Sequence, residues 1–326
     1  MKLSLCIPHY NEESEIVKVM LDSIKIQQNI DFNEIEVVIA NDGGNIDELY
    51  KINTKDYPFS IKMLKCDHKG VSETRNEAFN NSTGEYVMFC DVDDMFYNAC
   101  GMWIIFNEIK SGFDVFISAF IEESRLPDKE VTYLTRNIDY TFVHGKVYRR
   151  KYLINNNIRW NKNLTIHEDS YFNFLAINLA EPDRAKVCQS PFYLWKWRNE
   201  SVCRHDEKYI LKTYNNMLES STALVKELLD RSKEDLAMQT VTNMIFDAYF
   251  MMNKKEWLDQ ENKDYRHNTE LRFKKYYDDF KELFDKIPED KKNGIIVGIK
   301  NRFFQEGMIL ESMTFSDWIK EIESLT

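Results

Sequence analysis

Residues 91–94 read Asp-Val-Asp-Asp and follow directly on the apolar run Val-Met-Phe-Cys at 87–90. Carboxylates this close resist ionisation together unless a cation or hydrogen-bond donors offset their repulsion. In an extended chain, side-chain alternation puts Asp91 and Asp93 on the same side. A hard divalent ion that keeps some of its waters and also takes phosphate oxygens suits such a pair. The competing reading is a solvated turn in which Asp94 caps a helix starting near Tyr97. Two other polar clusters carry comparable possibilities. In IPHYNEE (7–13) the ring of Tyr10, set by Pro8, can lie against a flat base, or the stretch is a rigid turn with Asn11 as a helix cap. In IANDGG (39–44) the Asp42 carboxylate, beside two glycines, can approach a base N–H, or it forms an ordinary Asx turn.

These clusters need elements that bring them to one place. LSLCI (3–7), IEVVIA (35–40), SIKMLK (60–65) and EYVMFC (85–90) have the composition of buried strands. Between them, Ile16, Val17, Met20, Leu21 and Ile24 recur at helical spacing behind Glu12, Glu13 and Glu15, and a second helix is expected over 72–82. Strands alternating with helices imply a largely parallel sheet covered on both faces, with ligands beyond the carboxyl ends of its strands. The clusters after the first, second and fourth strands all fall on that edge. Farther on, FDVFISAFI (113–121), VTYL (131–134) and FYLWKW (192–197) read as strands and YFNFLAINLA (171–180) as a helix. From about 206 the pattern becomes helical and heavily charged, with stripes such as Tyr214, Leu218, Val225 and Leu228, and a break at Pro288. The expected division is therefore a catalytic domain over 1–205 and a helical region over 206–326.

Bulk properties narrow the function. The 326 residues carry 43 basic and 54 acidic side chains, a net charge of −11 that weighs against a general nucleic-acid binder. The N-terminus lacks the pattern of a signal peptide, and no apolar run approaches the roughly 20 residues of a bilayer span. The six cysteines are scattered without a C-x-x-C pair, which reads as buried free thiols in a reducing cytoplasm. There is neither a G-x-G-x-x-G nor a G-x-x-x-x-G-K-[ST] motif, so dinucleotide and P-loop chemistries fail.

In order, IPHYNEE, VVIANDGG, KGVSETRNEAF, GEYVMFCDVDD and HEDSYF (167–172) resemble the motifs of the family 2 glycosyltransferases, over roughly residues 1–205. The resemblance implies the GT-A fold, a mainly parallel Rossmann-like sheet flanked by helices, and an inverting transfer from a nucleotide sugar, most simply a UDP-sugar. It implies that Pro8, Tyr10 and Glu12 line the nucleotide pocket and that Asp42 takes the uracil N3–H. Gly70 would let the chain pass near the nucleotide, and Arg75 would face uracil or phosphate. Asp91 would contact the ribose or the metal, and Asp93 would hold Mn²⁺ or Mg²⁺. Asp169 would be the general base, with Glu168 orienting it or the acceptor. A carboxylate is a weak base at its reference pKa near 4, so burial or a like charge would have to raise it. FYLWKWRNESVCRH (192–205) resembles the segment that closes over the diphosphate, which makes Arg198 and Ser201 anion ligands. His205 is either a third metal ligand or a surface histidine.

Two departures from the family pattern stand out. Gly44 replaces the serine usual in the D-G-[SG] turn, and His144-Gly145-Lys146 stands where many relatives have Trp-Asn-Lys. Trp160, Trp195 and Trp197 could stack on a sugar or fill a core. The implied acceptor is a surface glycan or glycoconjugate, and apolar stripes on the C-terminal helices would suit a homodimer. Three other readings compete. The same chemistry could act on a modified nucleic-acid base, which the net charge opposes. A nucleotidyltransferase would need a Gly-rich N-terminal loop that IPHYNEE lacks. A non-catalytic module would not need Asp42, Asp91, Asp93 and Asp169 together.

Overall fold

The structure, a computed structural model, describes residues 1–125, 130–198, 208–253, 263–305 and 314–326. Strand β1 (Leu3–His9) lies parallel to β2 (Ile35–Asp42), with Leu3 opposite Ile35 and His9 opposite Asn41. Both strands are covered on both faces, which is why they read as apolar runs instead of alternating. Helix α1 (Ser14–Lys25) crosses between them and buries Val17, Met20, Leu21 and Ile24. After the short helix α2 (Asp47–Tyr50), strand β3 (Ser60–Cys66) joins β2 in parallel, and its largely exposed side chains suit an edge. Helix α3 (Val71–Asn80) starts from Gly70, whose φ of 91° favours glycine. It leads to β4 (Tyr86–Phe89), parallel to β1 on the side away from β2.

The chain then becomes mixed. It runs through β5 (Met95–Phe96), α4 (Gly101–Ser111), β6 (Val115–Ser118), β7 (Phe120–Arg125), β8 (Val131–Arg136) and β9 (Lys146–Arg149). Next come α5 (Arg150–Asn155), α6 (Glu168–Asn178), β10 (Ala185–Cys188) and β11 (Tyr193–Trp195). The main sheet has the order β10-β6-β9-β4-β1-β2-β3, and β9 runs antiparallel to both its neighbours. A second sheet has the order β5-β11-β7-β8. The expected α/β class, a mainly parallel sheet flanked by helices, is the one observed.

Three local expectations are corrected. The run 113–121 is two strands in different sheets: β6 pairs with β9 and β10 in the main sheet, and β7 pairs with β8 and β11 in the second. Asp94 caps no helix: α4 begins only at Gly101, and Asp94 is turned inward and 1% exposed. Of the five described cysteines, all unpaired, Cys6 and Cys90 are buried but Cys100 is exposed.

By its internal contacts the chain divides into Met1–Arg204 and His205–Thr326. The second unit holds α7 (Lys208–Asp230), α8 (Glu234–Met252), α9 (Lys263–Asp285), α10 (Glu289–Gln305) and α11 (Phe315–Ser324). Its core is aromatic: Phe273 packs on Trp318 at 5.1 Å between ring centres, and Phe246 on Phe315 at 5.0 Å. Among the described residues no helix is long and apolar enough to cross a membrane.

The loops after β1 and β2 touch at Gly44. A Cβ built there would lie 1.6 Å from the Tyr10 carbonyl oxygen, so the serine usual in this turn has no room. Gly44→Ser should therefore destabilise the fold by about 3 kcal/mol, measured by denaturant unfolding. A variant as stable as the parent would show that the two loops do not meet.

Candidate functional site

Strand β4 delivers its carboxylates to the carboxyl edge of the main sheet, and each finds a different counter-charge. Asp91 Oδ1 accepts from Arg75 Nη2 at 2.7 Å, and the Asp91 N–H donates to the Tyr193 hydroxyl at 3.1 Å. Asp93 Oδ2 accepts from Arg198 Nη1 at 3.2 Å. Asp94 Oδ1 accepts the Lys196 N–H at 3.0 Å, and its Oδ2 lies 3.5 Å from His144 Nδ1. Burial works against ionisation of all three. At Asp91 the Arg75 and His144 charges overcome burial and hold the carboxyl below its ordinary value. At Asp93, burial and the neighbouring Asp91 outweigh Arg198, so the carboxyl is raised. Asp94 is pushed well up by burial and by its two acidic neighbours.

The second half of the site begins at His167, which holds a left-handed conformation (φ 61°) that is uncommon outside glycine and starts α6. Glu168 and Asp169 follow in the first turn. Glu168 Oε1 accepts from Arg75 Nη1 at 2.9 Å, so one guanidinium spans Asp91 and Glu168. Arg75 is 4% exposed and lies over the Trp160 ring at 4.5 Å, and Trp160 stacks on Phe172 at 4.3 Å. The Asp169 carboxyl is pushed up to about 7 by burial and by the Glu168 charge, against the pull of Arg75 and a hydrogen bond from the Ser170 N–H. That is the shift a carboxylate base needs near neutral pH.

On the other side of β4, Tyr10 is exposed and its ring stacks on His68 at 5.0 Å. Glu12 accepts from the Tyr10 N–H at 2.9 Å and from Arg198 Nη1 at 3.1 Å. Burial would raise the Glu12 carboxyl, but these donors outweigh it and the value is lowered. Pro8, near the end of β1, is half-buried beside this loop. Asp42 ends β2 and accepts the Lys69 N–H at 2.8 Å and the Gly70 N–H at 3.0 Å, so it fixes the turn that opens α3.

The structure thus joins Glu12, Asp93 and Arg198 in one group and Arg75, Asp91 and Glu168 in another, with Asp169 next to Glu168. Arg75 differs from expectation: it is enclosed between two carboxylates and a tryptophan, where uracil or phosphate was expected to face it. Arg198 likewise rests on carboxylates. Ser201 and His205 lie outside the described residues. Sequence reasoning gave no site role to His144, whose ring is stacked with Trp195 at 4.9 Å and Tyr193 at 5.6 Å. The one available signal was its departure from the Trp-Asn-Lys pattern. Trp160 turns out to be core, supporting Arg75.

A divalent ion fits these residues. Ligand atoms of Asp91, Asp94 and His144 lie within 4.8 Å of one another, and Asp94 Oδ2 is buried without a hydrogen-bond partner. Two of the three donors are carboxylate oxygens, which a hard cation prefers, and the third is an imidazole nitrogen. The cluster shares Asp91 with the expected set and adds Asp94 and His144; His205 lies outside the described residues.

Residues 4–124 match the sequence model described as glycosyl transferase family 2. Among relatives, the chain is 27% identical over 215 residues to the poly(ribitol-phosphate) beta-N-acetylglucosaminyltransferase TarS of Staphylococcus aureus strain Mu50, covering 61% of this chain and 36% of that one. It is 24% identical over 241 residues to the minor teichoic acid biosynthesis protein GgaA of Bacillus subtilis strain 168, covering 66% of this chain and 52% of that one. The chain therefore spans about a third to a half of the length of these curated relatives. Its fold matches the crystal structure of S. aureus TarS 1–349 in complex with UDP-GlcNAc, with a TM-score of 0.61 at 19% identity over 94% of this chain and 92% of that one. It also matches a mannosyltransferase from Pyrobaculum calidifontis in complex with GDP-Man and Mn²⁺, with a TM-score of 0.51 at 14% identity over 88% of each chain.

Glu168→Gln removes a like charge beside Asp169 and leaves Arg75 less neutralised, and both changes favour the Asp169 carboxylate. Followed by carboxyl ¹³C NMR, the Asp169 midpoint should fall by about one pH unit. A midpoint that stays or rises would show that Glu168 does not set it.

Proposed function

From the match of residues 4–124 to the family 2 glycosyltransferase model, we propose that the chain is a glycosyltransferase of that family, moving a sugar from a UDP-sugar to an acceptor hydroxyl with inversion at the anomeric carbon. The observation that carries this reading is the Asp169 carboxyl, raised to about 7 beside Glu168 and linked through Arg75 to Asp91. A general base and the donor-side carboxylates then belong to one connected group on the ligand edge of the sheet.

In this reading Pro8, Tyr10 and Glu12 line the nucleotide pocket, and the Asp42 turn and Gly70 receive the uracil end. Asp91 contacts the ribose or shares the ion with Asp93; Asp94 and His144 are near enough to contribute, and His205 remains the further candidate. The divalent ion, Mn²⁺ or Mg²⁺, neutralises charge on the departing diphosphate when bound. Arg198 and Ser201 bind the diphosphate. Asp169 accepts the proton of the acceptor hydroxyl while that oxygen forms its bond to the anomeric carbon. The bond to the diphosphate oxygen breaks on the far face, which inverts the stereochemistry. Glu168 keeps Asp169 basic and orients it.

Likeness to TarS supports an N-acetylhexosamine donor, and likeness to TarS and to the teichoic acid biosynthesis protein GgaA supports a hydroxyl of a teichoic-acid-like glycopolymer as acceptor.

Asp169→Asn should lower kcat by about a thousandfold while the Kd for UDP stays within about threefold. In the wild type kcat/KM should rise with pH through about 7, since only the deprotonated carboxyl accepts a proton. An Asp169→Asn enzyme with undiminished transfer overturns the base assignment. Chelation should abolish transfer and added Mn²⁺ or Mg²⁺ should restore it; full activity in chelator would exclude the metal.

A further inference from the structure

One contact at the site is at odds with the role proposed for the residue that makes it. Arg198 Nη1 donates both to Glu12 Oε1 at 3.1 Å and to Asp93 Oδ2 at 3.2 Å. A single nitrogen thus bridges two carboxylates from separate loops, one after β1 and one after β4. Bridging two carboxylate oxygens with one positive centre is also what a divalent ion does. The guanidinium and an ion at Asp93 therefore compete for the same oxygen.

We propose that Arg198 is the resident counter-cation of the metal site and that the arriving donor exchanges it. Before the donor binds, Arg198 neutralises Asp93 and Glu12, which keeps the crowded Asp91–Asp93–Asp94 group tolerable without a metal. The donor diphosphate offers Arg198 a bidentate anion, which guanidinium prefers. Its departure exposes Asp93 to the divalent ion, which the same diphosphate helps to hold. Two features of the contact suit an exchange. The Arg198 side chain is 33% exposed, and that of Asp93 is 30% exposed, so both can be reached from solvent. Arg75, in contrast, is enclosed and holds Asp91 permanently. The two arginines thus divide the work, one as a fixed partner and one as an exchangeable partner. Glu12 supplies the second anchor and is itself kept in place by the Tyr10 N–H, so it stays poised to take Arg198 back once the diphosphate leaves.

This inference rests on the proposed metal role of Asp93 and on the diphosphate role of Arg198. It makes donor and metal binding mutually reinforcing beyond their direct contact with each other, and by linkage the effect is reciprocal. Its consequence has an unusual sign. Removing a residue that binds the donor should improve the affinity for the metal alone.

The test is Mn²⁺ binding to the full chain without nucleotide, read by electron paramagnetic resonance, in the wild type, Arg198→Gln and Arg198→Lys. Arg198→Gln should bind Mn²⁺ alone about tenfold more tightly than the wild type. Arg198→Lys keeps a charge that cannot bridge in the same planar way and should fall between the two. At saturating Mn²⁺, UDP should bind Arg198→Gln at least about tenfold more weakly. Unchanged or weaker Mn²⁺ binding in both folded variants overturns the exchange while leaving the proposed function intact. Failure of the wild type to bind UDP at saturating Mn²⁺ would instead overturn the functional reading itself.

Discussion

The site depends on one buried guanidinium. Arg75 holds Asp91 at the end of β4 with one nitrogen and Glu168 at the start of α6 with another, and Trp160 supports its plane. Three consequences follow from this single placement. Asp91 stays ionised in a setting where burial alone would protonate it. The first turn of α6 is fixed relative to the strand that leads into Asp91, Asp93 and Asp94. Asp169, one residue beyond Glu168, is left with an ionised neighbour that keeps its own carboxyl raised. A buried arginine without both carboxylates would face a desolvation cost of several kcal/mol, so the three groups stand or fall together.

The same logic explains how three aspartates coexist within four positions. Each takes a different answer to its charge: Asp91 a permanent guanidinium, Asp93 a solvent-reachable one, and Asp94 a backbone N–H with an imidazole beyond it. The partners come from β11 and the segment after it, from the loop before β9, and from α3. None is close in sequence to residues 91–94. The acidic stretch is thus assembled by the whole first unit, and its raised and lowered carboxyls record how unequally that compensation is shared.

Much of this was legible in the sequence because it is local. Strands β1 to β4 announce themselves as apolar runs, and the motifs that end them carry the residues found on the sheet edge. The Glu168–Asp169 pair was picked out by its resemblance to the family motif at 167–172. What escaped was non-local. Nothing near residue 144 reveals that its ring lies between Trp195 and Tyr193 beside Asp94, since those partners are about 50 residues away in either direction. The break of 113–121 into β6 and β7 depends on pairing partners as far along the chain as β10 and β11. Arg75 sits on the correct helix, yet its partners are fixed by tertiary packing, so its type and position could not say which anions it meets. Asp94 read equally well as a cap and as a ligand because a helix was expected to begin too early.

The position of β9 has a consequence for how the molecule is made. This strand enters between β4 and β6, antiparallel to both, although it follows β6 in the chain by two further strands. The sheet β4-β1-β2-β3 is complete once residue 89 has been synthesised, its β1–β4 pairing setting Leu3 opposite Tyr86. The remaining strands can be locked on only after residue 149 has emerged, and β10 only after residue 188. During synthesis β4-β1-β2-β3 can therefore assemble while the other edge of β4 stands open. That edge is the place where a nascent chain is exposed to mispairing, and β9 is the strand that closes it.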